Sequence, residues 1–232
     1  MKVAFCSLRG SPGVTTLAVL CAARWPEPCV LLEADLVGGI LVHRYGLPSG
    51  PPSLMSLAAT ARHELTEEAL WSACRQLPDG VAAVVSSEKP EEVRRGLEQL
   101  PLASAPDSPD LLFDGGRYGD GISHLGADIV VIVANPVLEQ LNPLISLVPD
   151  VVYEAQLGVV LAGKGPYQAR EVAEQLNEIC GDRAVVLGSI PHDPKGAMAA
   201  VEEGPGAPIT SKSHLYKAVG SVVKGLTQMR RC

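Results

Sequence analysis

Between residues 9 and 16 the chain reads Arg-Gly-Ser-Pro-Gly-Val-Thr-Thr, after an apolar run at 3–6 and before a helix-like stretch from Val14 to about Arg24. A strand, a glycine-bearing turn and a helix start form a physical anion trap. Gly10 and Gly13 permit unusual dihedrals, and successive N–H groups point inward at the positive end of the helix. Thr15 stands where the hydroxyl of a phosphate-binding loop meets Mg²⁺, but the regular pattern also wants a lysine at position 14 to reach the terminal phosphates. Val14 stands there instead. Read alone, the segment is equally compatible with an ordinary turn ahead of a Thr-capped helix.

Two acidic residues follow apolar runs: Asp35 after CVLLE (29–33) and Asp114 within PDLLFDGG (109–116). Acidic residues at such places cap helices or accept loop N–H groups, yet strand C-termini are also where open α/β sheets bind ligands. Glu33 reads as a structural partner, with Arg9 or Thr15 as its conjectured mate. The histidines at 43, 63, 124, 192 and 214 show no metal-ligand spacing. The six cysteines are scattered without a CxxC pair and read as reduced, mostly core residues.

Short apolar strands are expected at 3–6, 29–33, 81–87, 111–114, 129–134, 158–162 and 185–188. Helices are expected at 14–24, 64–77, 90–100, 165–180 and 213–228, with a Pro-rich loop at 101–110. Continuous apolar strands separated by helices predict a mostly parallel, doubly wound α/β sheet of about seven strands with helices on both faces. The 232 residues suit a single domain, 1–232. A net charge of −7, 47% apolar residues and a mean hydropathy of +0.18 exclude a disordered chain and speak against a generally basic nucleic-acid coat. No apolar run approaches the roughly 18 residues of a membrane span, and Arg9 and Gly10 interrupt where a signal peptide would continue. A cytoplasmic protein is expected. The tail carries Lys212, Lys217, Lys224, Arg230 and Arg231 beside Leu215, Val219, Val222 and Leu226. It reads as a final packing helix, with an amphipathic surface anchor as the alternative.

The ordered set of segments resembles the MinD/ParA family of P-loop ATPases. Residues 9–16 resemble its deviant Walker A motif, K-G-G-x-G-K-T-T, with Arg9 for the first Lys and Ser11 for the second Gly. CVLLEADLVGG (29–39) resembles the second-strand motif, in which Asp35 matches the carboxylate that positions the attacking water and Glu33 replaces an Asp. PDLLFDGG resembles the Walker B strand, with Asp114 at the Mg²⁺-holding carboxylate. ADIVVIVANPVLEQL (127–141), LGVVLAGKGPY (157–167) and VLGSIPHDPKGAMAAVEEGPG (186–206) follow in the family's order. An adenine-contacting Asn is replaced by Ala162.

The resemblance implies ATP or ADP with Mg²⁺. Arg9, Gly10, Ser11, Pro12, Gly13, Val14, Thr15 and Thr16 would lie around the phosphates, Pro191 and Asp193 would border the base, and Thr15 and Asp114 would hold the metal. Asp35 and Arg9 would be catalytic, Arg9 either gripping phosphate, in trans if need be, or remaining a solvated loop residue. It further implies a homodimer, an unidentified protein partner and a spatial-organiser role in partitioning, division-site or pilus and flagellum positioning. A membrane surface or DNA is not indicated by the net charge, and a peripheral place at the membrane stays open. Loss of the lysine implies weak or absent hydrolysis. An active ATPase using Arg9, or a biosynthetic ligase of the dethiobiotin-synthetase type, are the alternatives.

Overall fold

The structure is a computed structural model that describes residues 1–10 and 12–230, with the side chains of 120 and 152–154 outside that description. The strands are β1 (Lys2–Ser7), β2 (Cys29–Glu33), β3 (Arg75–Gln76), β4 (Ala82–Val84), β5 (Asp110–Arg117), β6 (Ile129–Ala134), β7 (Gln156–Ala162) and β8 (Ala184–Ile190). They form one eight-stranded sheet in the order β3-β4-β2-β5-β1-β6-β7-β8. Every pairing is parallel except that of β3 with β4.

Side-chain alternation divides the sheet into two apolar layers. On one face Ala4, Cys6, Val30, Leu32, Leu111 and Phe113 meet the helices α3 (Leu54–Thr60), α4 (Glu67–Ala73), α5 (Pro90–Gln99), α7 (Leu138–Glu154) and α8 (Ala169–Cys180). On the other, Val3, Phe5, Leu31, Leu112, Val131 and Val133 pack on α1 (Val14–Ala23), α9 (Pro194–Glu202) and α11 (His214–Met229). The short helices α2 (Leu41–Arg44), α6 (Asp120–Ser123) and α10 (Pro208–Lys212) complete the set. Because both faces are covered, the central strands are apolar at successive positions rather than at alternate ones.

The sheet has eight strands where about seven are expected, and the difference lies in the expected 64–77 helix. Thr66 caps α4 by accepting from the Ala69 N–H, but the chain turns extended at Cys74 and pairs Arg75 with Ala83. The Arg75 guanidinium donates to the carbonyls of Pro48, Gly50 and Pro52, which fixes this antiparallel edge. The expected 81–87 strand shortens to β4. Helix α7 is absent from the sequence expectation, because Pro143 and Pro149 lie inside it and proline removes an intrahelical donor. Burial of Leu141, Leu144, Val148 and Val151 along one face overrides that cost. The apolar side of α11 (Leu215, Val219, Val222, Leu226) is buried in the core, in keeping with a packing helix. Among the described residues no helix is long and apolar enough to cross a membrane.

Candidate functional site

At the C-terminal end of β1 the chain leaves the sheet at buried Ser7 and enters α1 through a loop with two positive φ angles, 69° at Gly10 and 97° at Gly13. Gly13 is the N-cap of α1. It offers no side-chain cap, and the first turn carries no acidic residue. The N–H groups of Gly13, Val14, Thr15 and Thr16 find no acceptor among the described residues; the first bond of the helix runs from the Leu17 N–H to the Gly13 carbonyl. By contrast, Ser53, Thr66 and Ser213 each cap a helix with a side chain. Such an uncapped, positively polarised helix end is the kind at which anions bind. Ser11 lies outside the described residues.

Val14, at the expected lysine position, is 6% exposed and belongs to the core layer with Phe5 and Leu17. A packed apolar side chain stands where the resemblance expects a cation.

Asp114 sits on β5 between Glu33 on β2 and Phe5 on β1. It is 1% exposed, and its Oδ1 has no hydrogen-bond partner among the described residues. Burial pushes its pKa up to about 7; the Thr15 hydroxyl opposes this, Glu33 and Asp35 add to it, and the Gly116 N–H opposes it again. An orphaned, buried carboxylate oxygen beside a threonine hydroxyl is a fitting half-site for a hard divalent cation. Among the described residues no group of three or more His, Cys, Asp or Glu side chains is arranged to hold a metal. Mg²⁺ takes one or two carboxylates and fills its octahedron with phosphate and water.

Glu33 is paired with neither Arg9 nor Thr15. Its Oε1 accepts from the N–H groups of Ile40 (2.5 Å) and Leu41 (2.8 Å), and its Oε2 from Ser86 (2.8 Å). This nearly buried side chain fastens the loop that carries Asp35. Burial raises its pKa and the three N–H groups work against that rise. Asp35 Oδ1 accepts from the Val37 N–H at 2.9 Å. Its carboxylate lies so close over Gly116 that a Cβ there would overlap it. Burial raises its pKa, opposed by the Val37 N–H and the charge of Arg117.

Two clefts flank the loop. One, of about 300 Å³, is bounded by Gly10, Gly13, Val14, Thr15, Thr16 and Asp35 and by two arginines, Arg44 and Arg117. The other, also about 300 Å³, is lined by Pro12, Gly13, Thr16, Asn135, Ala162, Pro191 and Asp193. Gly13 and Thr16 belong to both. The structure thus gathers most of the expected residues around one loop. Asp193, however, gives its carboxylate to the backbone: it accepts from the N–H groups of Gly196 at 2.9 Å and Leu215 at 3.3 Å, and these bonds hold its pKa low. Arg9 is exposed and lines neither cleft.

Two polar residues are additions to the set expected from sequence. Arg44, the last residue of α2, donates from Nη2 to Thr16 Oγ1 at 2.7 Å. Asn135 donates to the Ala162 carbonyl at 2.8 Å and accepts from Gln140 at 2.7 Å. The second cleft therefore keeps an amide side chain at the end of β6 while Ala162 on β7 is apolar. Arg44 belongs to no local motif and meets Thr16 only across the fold, whereas Asn135 lies in the 127–141 segment and pairs locally with Gln140.

No protein-family model matches the chain, and no curated protein matches it in sequence. Solved structures do. The cell division ATPase MinD of Pyrococcus furiosus superposes with a TM-score of 0.75 at 16% identity, covering 98% of each chain. MinD of Pyrococcus horikoshii, complexed with Mg-ADP, gives 0.72 at 17% identity over 99% of this chain and 96% of that one. A ParA family ATPase from Chlorobium tepidum gives 0.70 at 14% identity over 96% and 98%. At such identities likeness speaks for architecture alone: the chain has the fold of the MinD and ParA ATPases.

Proposed function

We propose that the chain, as one domain over residues 1–232, binds an adenine nucleotide with Mg²⁺ and acts as a positioning protein or scaffold that turns ATP over slowly or not at all. The observation that carries this reading is the start of α1, where four N–H groups without a partner among the described residues border a cleft beside a buried valine in the place of a lysine. The amides would hold phosphate oxygens without needing a side-chain charge. Thr15 and Asp114 would hold Mg²⁺, whose bound charge offsets that of the phosphates. Pro12, Asn135 and Pro191 would enclose the base. Asp35, held by the Val37 N–H, would orient a water.

Turnover needs charge stabilisation that grows in the transition state, and losing one such donor costs about 3–4 kcal/mol, or roughly 10²–10³ in rate. Hence binding survives while hydrolysis fades. Solved neighbours in the same fold include an ATP complex of McdA from Cyanothece and a MinC:MinD cell division complex from Aquifex aeolicus, which supports a nucleotide-dependent partnership here. A homodimer that brings Arg9 across to a partner's phosphates, and a further protein partner, belong to the same proposal.

Calorimetric titration with Mg-ATP, ADP release, and sedimentation with and without nucleotide test it. Binding with hydrolysis at background is the expected result, with Val14→Lys gaining rate. Absence of nucleotide binding would overturn the reading. Robust wild-type turnover that disappears in Arg9→Ala would replace it with an ATPase that uses Arg9.

A further inference from the structure

The first cleft is short of its expected lysine, yet it is not short of positive charge. Arg44 reaches it from the end of α2, and Arg117 from the end of β5. They differ in how they are held. Arg117 is exposed and stands beside Asp35, whose carboxylate it helps keep ionised. Arg44 is half-buried, and one arm of its fork is fixed on Thr16 Oγ1. Thr16 is the third residue of α1, at the junction of the two clefts.

A guanidinium tethered by one nitrogen keeps its other N–H donors free in a fixed plane, the arrangement suited to bidentate contact with phosphate oxygens. A side chain restrained in this way also loses less freedom on binding than a mobile lysine would. The anchor itself is firm: α2 starts at Ile40 and Leu41, whose N–H groups are bound by buried Glu33. The cation therefore belongs to the sheet through Glu33 rather than to a free surface loop.

We propose that Arg44 supplies, from the same chain, the phosphate-binding charge that Val14 withholds, and that it grips the diphosphate part of the ligand beside the first turn of α1. Arg117 contributes a weaker, salt-screened share. This rests on the reading of the loop as a phosphate seat, but it does not require that the ligand carry a base.

The test uses the full-length chain and three probes, Mg-ADP, inorganic pyrophosphate and adenosine, in calorimetric titrations. Arg44→Ala weakens ADP and pyrophosphate about 10- to 100-fold, in line with loss of a charge-assisted pair, and leaves adenosine unchanged. Arg44→Lys recovers only part of the loss, because an ammonium lacks the rigid planar fork that grips phosphate oxygens bidentately while one arm stays on Thr16. Arg117→Ala costs less, and its effect fades as salt rises. Thermal unfolding of each apo variant, with Arg44→Gln as a second neutral replacement, separates lost binding from lost folding.

Equal ADP and pyrophosphate affinity in wild type and in folded Arg44→Ala or Arg44→Gln would overturn the assignment while leaving the nucleotide reading intact. Pyrophosphate binding that depends on Arg44, without ADP binding, would uphold Arg44 and sink the nucleotide reading. Binding of neither probe to the wild type would remove both.

Discussion

At the scale of single residues, the site is a contest between burial and charge. Asp114 has a carboxylate in a place where a carboxylate is expensive, and its pKa of about 7 expresses that cost. The native state holds the proton more tightly than the unfolded chain does. Its contribution to stability is therefore fully present below the ordinary carboxylate range and is lost as pH rises to about 7. In a chelating buffer, the urea midpoint of the apo protein should fall between pH 5 and pH 7. The slope credited to this one group is up to about 1.4 kcal/mol per pH unit. Asp114→Asn should remove that share of the slope, and identical pH profiles for the two proteins would contradict the assignment. Added Mg²⁺ and nucleotide should lessen the loss at pH 7, because a bound cation replaces the proton as the partner of Oδ1. Val14 is the complementary case: where a charge is absent, the side chain is apolar and packed.

At the scale of elements, function depends on where loops are pinned. The segment from Asp35 to Leu41 leads into α2 and is held by buried Glu33, which accepts from Ile40 and Leu41, and by the Gly39 N–H on the Ser87 carbonyl at 2.7 Å. Glu33→Ala leaves three N–H groups without their acceptor and should cost about 3–9 kcal/mol at roughly 1–3 kcal/mol per orphaned group; equilibrium unfolding in urea measures it. An unchanged midpoint would show that the loop is held by something else. Gly116 is a second pin. Its φ of 60° and the Asp35 carboxylate lying over it both oppose a side chain. These elements also show what the sequence could and could not disclose. The phosphate-type turn, the two strand-end carboxylates and the tail helix were legible because each is a local pattern. Helix α7 was hidden by its two prolines, and β3 by helical spacing that the Arg75 contacts overrule. Arg44 was illegible for a different reason: its partner Thr16 lies 28 residues away, and no spacing rule connects residues that meet only across the fold. The bond from Asn135 to the Ala162 carbonyl, 27 residues off, is hidden in the same way.

At the scale of the whole molecule, the sheet has two ends with separate duties. The carboxyl ends of β1, β2 and β5 build the site. At the opposite end of β5, Asp110 is 3% exposed and accepts from the Met1 ammonium (2.6 Å), Trp25 Nε1 (2.9 Å) and Arg230 Nη1 (3.0 Å), tying α1 and α11 to the sheet. Asp110→Ala breaks a buried charge cluster and should cost about 3–5 kcal/mol. Nucleotide affinity at a temperature where the variant is still folded should be unchanged, since distant sites act independently. A joint loss of stability and intrinsic affinity would show that the two ends are coupled. The clefts on either side of Gly13 and Thr16 set a further condition on what can bind. Each basin alone offers a small guest only a handful of contacts, but a guest with two heads joined across that common wall occupies the second as an intramolecular event, at a local concentration near the millimolar range. Separate solutions of a heterocycle and a polyphosphate, mixed at any ordinary strength, should therefore fall well short of the affinity of the one molecule that links them.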